Sequence, residues 1–255
     1  MTSLNRADGP YRQILGVRFF TGQAREAVAI GLSGGLVVVP SAPVLLAMAD
    51  DPYTCEALLN SDFAITDSGL MVLLWRLMGH EKLPRVSGLE YLKLLLEEPA
   101  LREPGATFGV MPSVATMEKT LPWLQSRGFP TTREDCYVAP RYGTGQVVDP
   151  DLLKIVNMRK PAHIIMAIGG GVQEKLAYYL KVGATYRPGL HCTGAAIGFL
   201  SGDQVRIPDW ADRFFLGWFF RCLHAPGLFI PRYWNARKLI PLMLKFRERS
   251  PRGGA

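Results

Sequence analysis

The sequence of 255 residues predicts an α/β fold, a Rossmann-like, mostly parallel sheet with helices on both faces plus a C-terminal helical appendage. Three observations lead there. Short β-rich runs alternate with helical patterns, the order that builds crossover units on a parallel sheet. The helical patterns carry their own start signals. After Pro208 the strand signals stop and aromatic residues interleave with basic ones, so residues 1–205 read as an α/β domain and 206–255 as a helical, membrane-binding addition.

The elements follow in order. Residues 14–19, 36–39, 63–65, 107–110, 136–139 and 163–168 read as strands, being short and rich in apolar and β-branched side chains. Asp51 ahead of Pro52 supplies a helix cap before a proline at the first helical position. A helix is predicted over 68–78. Ser87 and Glu90 have capping-box spacing ahead of Tyr91, Leu92, Leu94 and Leu95. Ser113 precedes a helix predicted over 114–126. Asp149-Pro150-Asp151 has the DxD look of a metal site. The central proline instead fits cap and first turn of a helix running to about residue 158, where both acids favour the helix dipole. No metal and no cofactor are therefore expected. Gly169-Gly170-Gly171 follows an apolar strand and opens a helix. Pro226 and Pro231 are expected to break the appendage into short helices.

Charge and composition bound the function. Of a net charge of +7, residues 206–255 contribute ten Lys/Arg against three Asp/Glu, so this segment carries the whole excess. Such a segment attracts an anionic partner: nucleic acid, phospholipid or a pyrophosphate. Trp210, Phe214, Phe215, Trp218 and Phe219 sit among apolar neighbours, which suits a membrane interface better than a base-stacking platform. No nucleic-acid partner is expected. No stretch approaches the roughly 18 apolar residues of a membrane span, and the N-terminus lacks a signal-peptide layout. The expected location is the cytoplasm, peripherally on the inner face of the membrane. Cys55, Cys136, Cys192, Cys222 and the four histidines show no metal-ligand spacing.

Two constellations could carry chemistry. Asp67 lies just past the strand at 63–65. Ligands of open α/β sheets bind at the carboxyl ends of strands, and a carboxylate there can act as a general base. The competing reading is a cap for the helix at 68–78. The glycine run at 169–171 lets backbone amides approach a phosphate at a helix N-terminus, although tight strand-to-helix turns use the same residues.

Four blocks, in order, resemble the WecG/TagA/CpsF glycosyltransferases. They are Leu15-Gly16-Val17; Asn60-Ser61-Asp62-Phe63 through Asp67 to Arg85-Val86-Ser87-Gly88; Lys160-Pro161 through Gly169 to Gln173-Glu174-Lys175; and Gly194-Ala195-Ala196 with Phe199-Leu200-Ser201-Gly202, Arg206, Pro208, Trp218, Arg221 and Tyr233. The resemblance implies inverting, metal-independent transfer of an N-acetylmannosamine-type or related sugar. The donor is a UDP-sugar and the acceptor a polyprenyl-diphosphate-linked sugar of bacterial surface polysaccharide synthesis. It implies Asp67 as base, and Ser41, Arg85, Tyr142, Gly169, Gln173 and Glu174 around the donor. It implies Arg206, Arg221, Arg232 and Arg237 at the acceptor pyrophosphate and an anionic membrane surface, and it leaves room for a homo-oligomer. The chain departs from the family pattern at Val39-Pro40-Ser41, Thr66-Asp67-Ser68 and Val172, which points to a different donor sugar, a different acceptor or weakened activity. A non-catalytic nucleotide-sugar-binding or assembly subunit on the same fold is the alternative.

Overall fold

The computed structural model describes residues 9–203, 223 and 226–253. Its strands are β1 (Tyr11–Ile14), β2 (Val17–Phe20), β3 (Gly35–Val38), β4 (Phe63–Ala64), β5 (Thr107–Met111), β6 (Cys136–Val138), β7 (His163–Met166) and β8 (Gly189–Cys192). They form one sheet in the order β1-β2-β4-β3-β8-β7-β5-β6. Among the described residues only the β1–β2 pair is antiparallel, and every other ladder is parallel.

The helices are α1 (Ala24–Leu32), α2 (Ala42–Asp50), α3 (Pro52–Leu59), α4 (Gly69–Leu77), α5 (Gly88–Glu97), α6 (Val114–Gln125), α7 (Pro150–Arg159), α8 (Val172–Gly183), α9 (Ala196–Ser201), α10 (Pro226–Ala236) and α11 (Leu239–Phe246). They cover the sheet as two layers because successive strand residues point to opposite faces. Leu36, Val38, Ile164, Met166, Leu190 and Cys192 pack with α2, α3, α4, α7 and α8. Val37, Phe63, Ile165 and Ala167 pack with α1, α5, α6 and α9. Strands buried on both faces need no alternation in sequence, which is why they read as plain apolar runs.

The predicted caps are present. Asp51, Ser87, Ser113 and Asp149 each accept a backbone N–H from the first turn of their helix. Two strands differ from the sequence expectation. The run at 14–19 is a hairpin turning at Leu15 and Gly16, both with positive φ. A buried leucine at the first turn position gives no hairpin signal. It is held there from outside, since Leu15 and Gly16 donate their N–H groups to the carbonyls of Arg247 and Glu248 (2.7 and 2.8 Å). The central strand β8 reads Gly-Leu-His-Cys and carries no β-branched residue. Pro231 also departs from expectation, lying inside α10 without ending it.

The core of the sheet contains a polar chain. The Tyr91 hydroxyl meets His191 Nδ1 (2.9 Å), and His191 Nε2 meets His163 Nδ1 (3.3 Å). All three residues are buried. Gly189 leaves the room, because a Cβ there would lie 2.7 Å from His163 Nδ1. Burial, and the neighbouring His163, push the His191 pKa down to about 3. The unfolded chain therefore binds a proton near the ordinary histidine value of about 6.5, which the folded chain refuses until about pH 3. This contribution is present above pH ~6.5 and is lost as pH falls toward the folded value. The urea midpoint should drop between pH 7.5 and 5.5; an unchanged midpoint would mean that His191 takes up its proton in the folded state.

The C-terminal helices share the main core. Ala236, Leu239 and Met243 are buried in the same cluster as α2 and α4, while Ile240 and Leu244 stay exposed. Met243→Ala should cost about 2–5 kcal/mol, as for other buried large-to-small changes. Leu244→Ala should stay within about 0.5 kcal/mol. Denaturant melts of the two variants check this; equal small effects would mean that α11 is not part of the folded unit.

Candidate active site

Because β2 to β8 are parallel, their carboxyl ends meet at one edge. Along that edge stand Asp67 after β4, Ser41 after β3, Thr193-Gly194 after β8, Gly169 after β7, and Tyr142 beyond β6. The six candidates Ser41, Asp67, Tyr142, Gly169, Gln173 and Glu174 therefore come from distant parts of the sequence to one end of the sheet.

Asp67 is held both by its carboxylate and by its main chain. Ser68, not Asp67, caps α4, accepting the Met71 N–H (3.3 Å). The carboxylate of Asp67 instead accepts the Gly88 N–H at Oδ1 (2.9 Å), the first helical residue of α5. The Arg85 Nε donates to the Asp67 carbonyl (3.2 Å). The Thr66 hydroxyl donates to the Pro84 carbonyl (2.6 Å) and accepts from Val86 N–H (3.3 Å), clipping the loop before α5 to the end of β4. Gly88 had no assigned role in the sequence reading. The signal was present, since a Ser87 cap that accepts the Glu90 N–H leaves the Gly88 N–H unsatisfied within its own helix.

The glycine turn is arranged differently from a simple phosphate cradle. Gly171 has positive φ, and its N–H donates to Glu174 Oε2 (2.6 Å). Glu174 and Gln173 are buried. Gln173 Nε2 donates to Glu174 Oε1 (2.9 Å), and Gln173 Oε1 accepts the Gly194 N–H (2.9 Å). Gly169 and Gly170 remain exposed. Gly170 abuts the first turn of α2, where a Cβ would lie 2.9 Å from Val44 Cγ2. Ser41 begins that helix, and its hydroxyl makes no capping bond.

Tyr142 is tied to Asp149. Its hydroxyl donates to Asp149 Oδ2 (2.6 Å), as does that of Tyr137 (2.9 Å), while Leu152 N–H donates to Oδ1 (2.9 Å). Burial and the Asp149 hydrogen bond push the Tyr137 phenol up to about 12 and raise that of Tyr142 as well. Asp149 thus spends its carboxylate on a helix start and two phenols. Among the described residues no cluster of three or more His, Cys, Asp or Glu could hold a metal. Lys175 closes the loop over α8: its buried Nζ donates to Asp51 Oδ2 (3.0 Å) and the Gly145 carbonyl (2.7 Å). Burial opposes the Asp51 charge, but hydrogen bonds from Thr54 and Lys175 and the Lys175 charge hold its pKa below the ordinary value.

The sequence model of the glycosyl transferase WecG/TagA/CpsF family matches residues 12–253. The chain belongs to this family. The match spans the sheet, the carboxyl-edge site and the C-terminal helices, and the family is one of glycosyltransferases in polysaccharide synthesis. No curated protein matches the chain.

Of the cations expected at the acceptor, this WecG/TagA/CpsF family member shows one in full. Arg237 stacks its guanidinium over the Trp234 ring (4.0 Å), and both are exposed. Arg206, Arg221 and the side chain of Arg232 lie outside the described residues, as do Trp210, Phe214, Phe215, Trp218 and Phe219. No helix among the described residues is long and apolar enough to cross a membrane.

The Asp67–Gly88 contact depends on α5 approaching the sheet closely. A Cβ on Gly88 would lie 2.9 Å from Val39 Cγ1. Gly88→Ala should therefore cost about 1–3 kcal/mol by overpacking, and Val39→Ala in the same chain should recover most of it. Denaturation of the two singles and the double forms the cycle; additive losses would show that these residues are not in contact.

Proposed function

We propose that the chain is an inverting, metal-independent glycosyltransferase that moves a sugar from a UDP-sugar onto a polyprenyl-diphosphate-linked acceptor. The observation that carries this reading is Asp67. It stands at the carboxyl end of a parallel strand, its carboxylate oriented by the Gly88 N–H and its main chain by Arg85, in a chain that belongs to a glycosyltransferase family. Asp67 takes the proton from the acceptor hydroxyl. The acceptor oxygen forms a bond to the anomeric carbon from the face opposite the diphosphate, the anomeric carbon–oxygen bond to phosphate breaks, and UDP leaves. Attack from the opposite face inverts the anomeric centre.

A leaving diphosphate needs positive charge. Preorganised cations and N–H groups supply it without a metal when they are aimed at the developing charge. Arg85, the exposed Gly169-Gly170 backbone and the α2 N-terminus with Ser41 are assigned to this task among the described residues of this edge. Arg206, Arg221, Arg232 and Arg237 are assigned here to the acceptor pyrophosphate. Trp234, Ile230, Ile240 and Leu244 are exposed on α10 and α11 beside Arg237, Lys238 and Lys245. Apolar rings with basic neighbours favour the headgroup layer of an anionic membrane, so this end of the molecule is assigned to the membrane surface where a lipid-linked acceptor resides.

The test is UDP release from a panel of UDP-sugars with a lipid-pyrophosphoryl-sugar acceptor, run in EDTA. The parent should turn over, and Asp67→Asn should bind donor yet lose about 10²–10⁴-fold in turnover, the scale of a lost general base. Normal turnover by Asp67→Asn would remove its role; UDP binding with no turnover by the parent would favour a non-catalytic nucleotide-sugar-binding subunit.

A further inference from the structure

Glu174 is the most enclosed carboxylate on the carboxyl edge, with no exposed surface. Both of its oxygens are engaged, Oε2 with the Gly171 N–H (2.6 Å) and Oε1 with Gln173 Nε2 (2.9 Å). A carboxylate offers only acceptors, whereas an amide side chain has one accepting end and one donating end. Whatever Gln173 turns toward Glu174 must therefore be its NH2 group. Its carbonyl then faces the opposite way, where it accepts the Gly194 N–H (2.9 Å), and the NH2 also lies 3.4 Å from the Cys192 carbonyl. Gly194 has positive φ and makes the turn between β8 and α9. An unbroken line of donors and acceptors thus runs from the glycine turn opening α8 to the turn ending β8.

We propose that Glu174 is a positioning residue: it fixes the polarity of the Gln173 amide and, through it, holds the Gly194 turn that walls the donor crevice at the end of β8. The proposal rests on the glycosyltransferase reading of that crevice. It assigns Glu174 no contact with the sugar nucleotide, since both oxygens face the protein. Capping α8 alone would need only the bond to Gly171; the bond to Gln173 is what carries orientation onward to a second element. Burial raises the Glu174 pKa above the ordinary carboxylate value, and the hydrogen bonds from Gln173 and Gly171 and the charge of Lys175 offset only part of that.

The test reverses the polarity. Glu174→Gln keeps the length but gives position 174 one acceptor and one donor, so it cannot accept from both Gly171 and Gln173. Gln173→Glu sets two carboxylates against each other. The double substitution restores the line. The new amide at 174 accepts from Gly171 and donates to the new carboxylate at 173, which accepts from Gly194. Each single variant should lose about 10²-fold in kcat, the scale expected when a supporting group moves by about an ångström, and the double should recover to within about tenfold of the parent. Amide hydrogen exchange read in the full chain, without substrate, should quicken at Gly194 in Glu174→Gln and slow again in the double. A purely structural role would lower the melting temperature of the singles without this pattern of rescue. If Glu174→Gln does not fold, Gln173→Met should quicken exchange at Gly194 while leaving Gly171 protected. Unchanged exchange at Gly194, a double no better than its worse single, or singles with parental kcat would each overturn the proposal. Absence of turnover by the parent with every UDP-sugar would instead count against the function, and the exchange pattern alone would then decide the relay.

Discussion

The ladder between β3 and β8 joins two halves of the chain, and the site depends on it. On one side lie β1, β2, β4 and β3, built before residue 65; on the other lie β8, β7, β5 and β6, built after residue 106. Gly35 pairs with Gly189, Leu36 with Leu190, Val37 with His191 and Val38 with Cys192. That register brings Val39-Pro40-Ser41 beside Thr193-Gly194 at the carboxyl edge. A slip by one residue would turn each apolar side chain toward the wrong helical layer. Gly189 and the buried Tyr91–His191–His163 chain sit at this seam, so hydrogen bonding in the core reinforces a register that apolar packing already favours.

Each half contributes one side of the candidate site at the carboxyl edge. From the first come Asp67, Arg85 and Gly88, knitted together by Thr66 and by the first turn of α5. From the second come the Gly169–Gly171 turn, Gln173 and Glu174. Both sides use the same physical device: a helix N-terminus whose unsatisfied N–H groups donate to a carboxylate. At α5 that carboxylate is Asp67, half-buried at the crevice; at α8 it is Glu174, wholly inside. Equivalent backbone chemistry thus holds two acids at different exposures, in keeping with the proposed base role of Asp67 and the proposed supporting role of Glu174.

The C-terminal helices are less separate than their composition suggests. Leu239 and Met243 enter the main core beneath α2 and α4, and residues 247 and 248 pin the β1–β2 turn. Ser250 approaches Cys55 (3.5 Å), and Arg252 donates to the Ala49 carbonyl (3.0 Å). The end of the chain therefore closes over its beginning. The opposite faces of α10 and α11 retain exposed Ile230, Trp234, Ile240 and Leu244. One pair of short helices both completes a core and presents an apolar, basic outer surface.

Much of this was written locally. The parallel α/β class, the helix starts at Asp51, Ser87, Ser113 and Asp149, and the family resemblance across the chain are consequences of short-range pattern: apolar runs, caps and prolines acting within a few residues. Asp67 could be placed past a strand end by the same means. What the sequence alone could not decide depends on contacts between distant residues. The strand β8 has no local propensity and exists because β3 and β7 flank it. The Leu15-Gly16 turn is stabilised from residues 247 and 248. Whether Asp67 capped its own helix or another was settled only when α5 came within reach of β4. Gln173 and Glu174 stood together as candidates, yet the partner each one takes follows from Gly194 and Gly171 meeting them in space, because a buried polar group takes whatever partner the tertiary fold supplies.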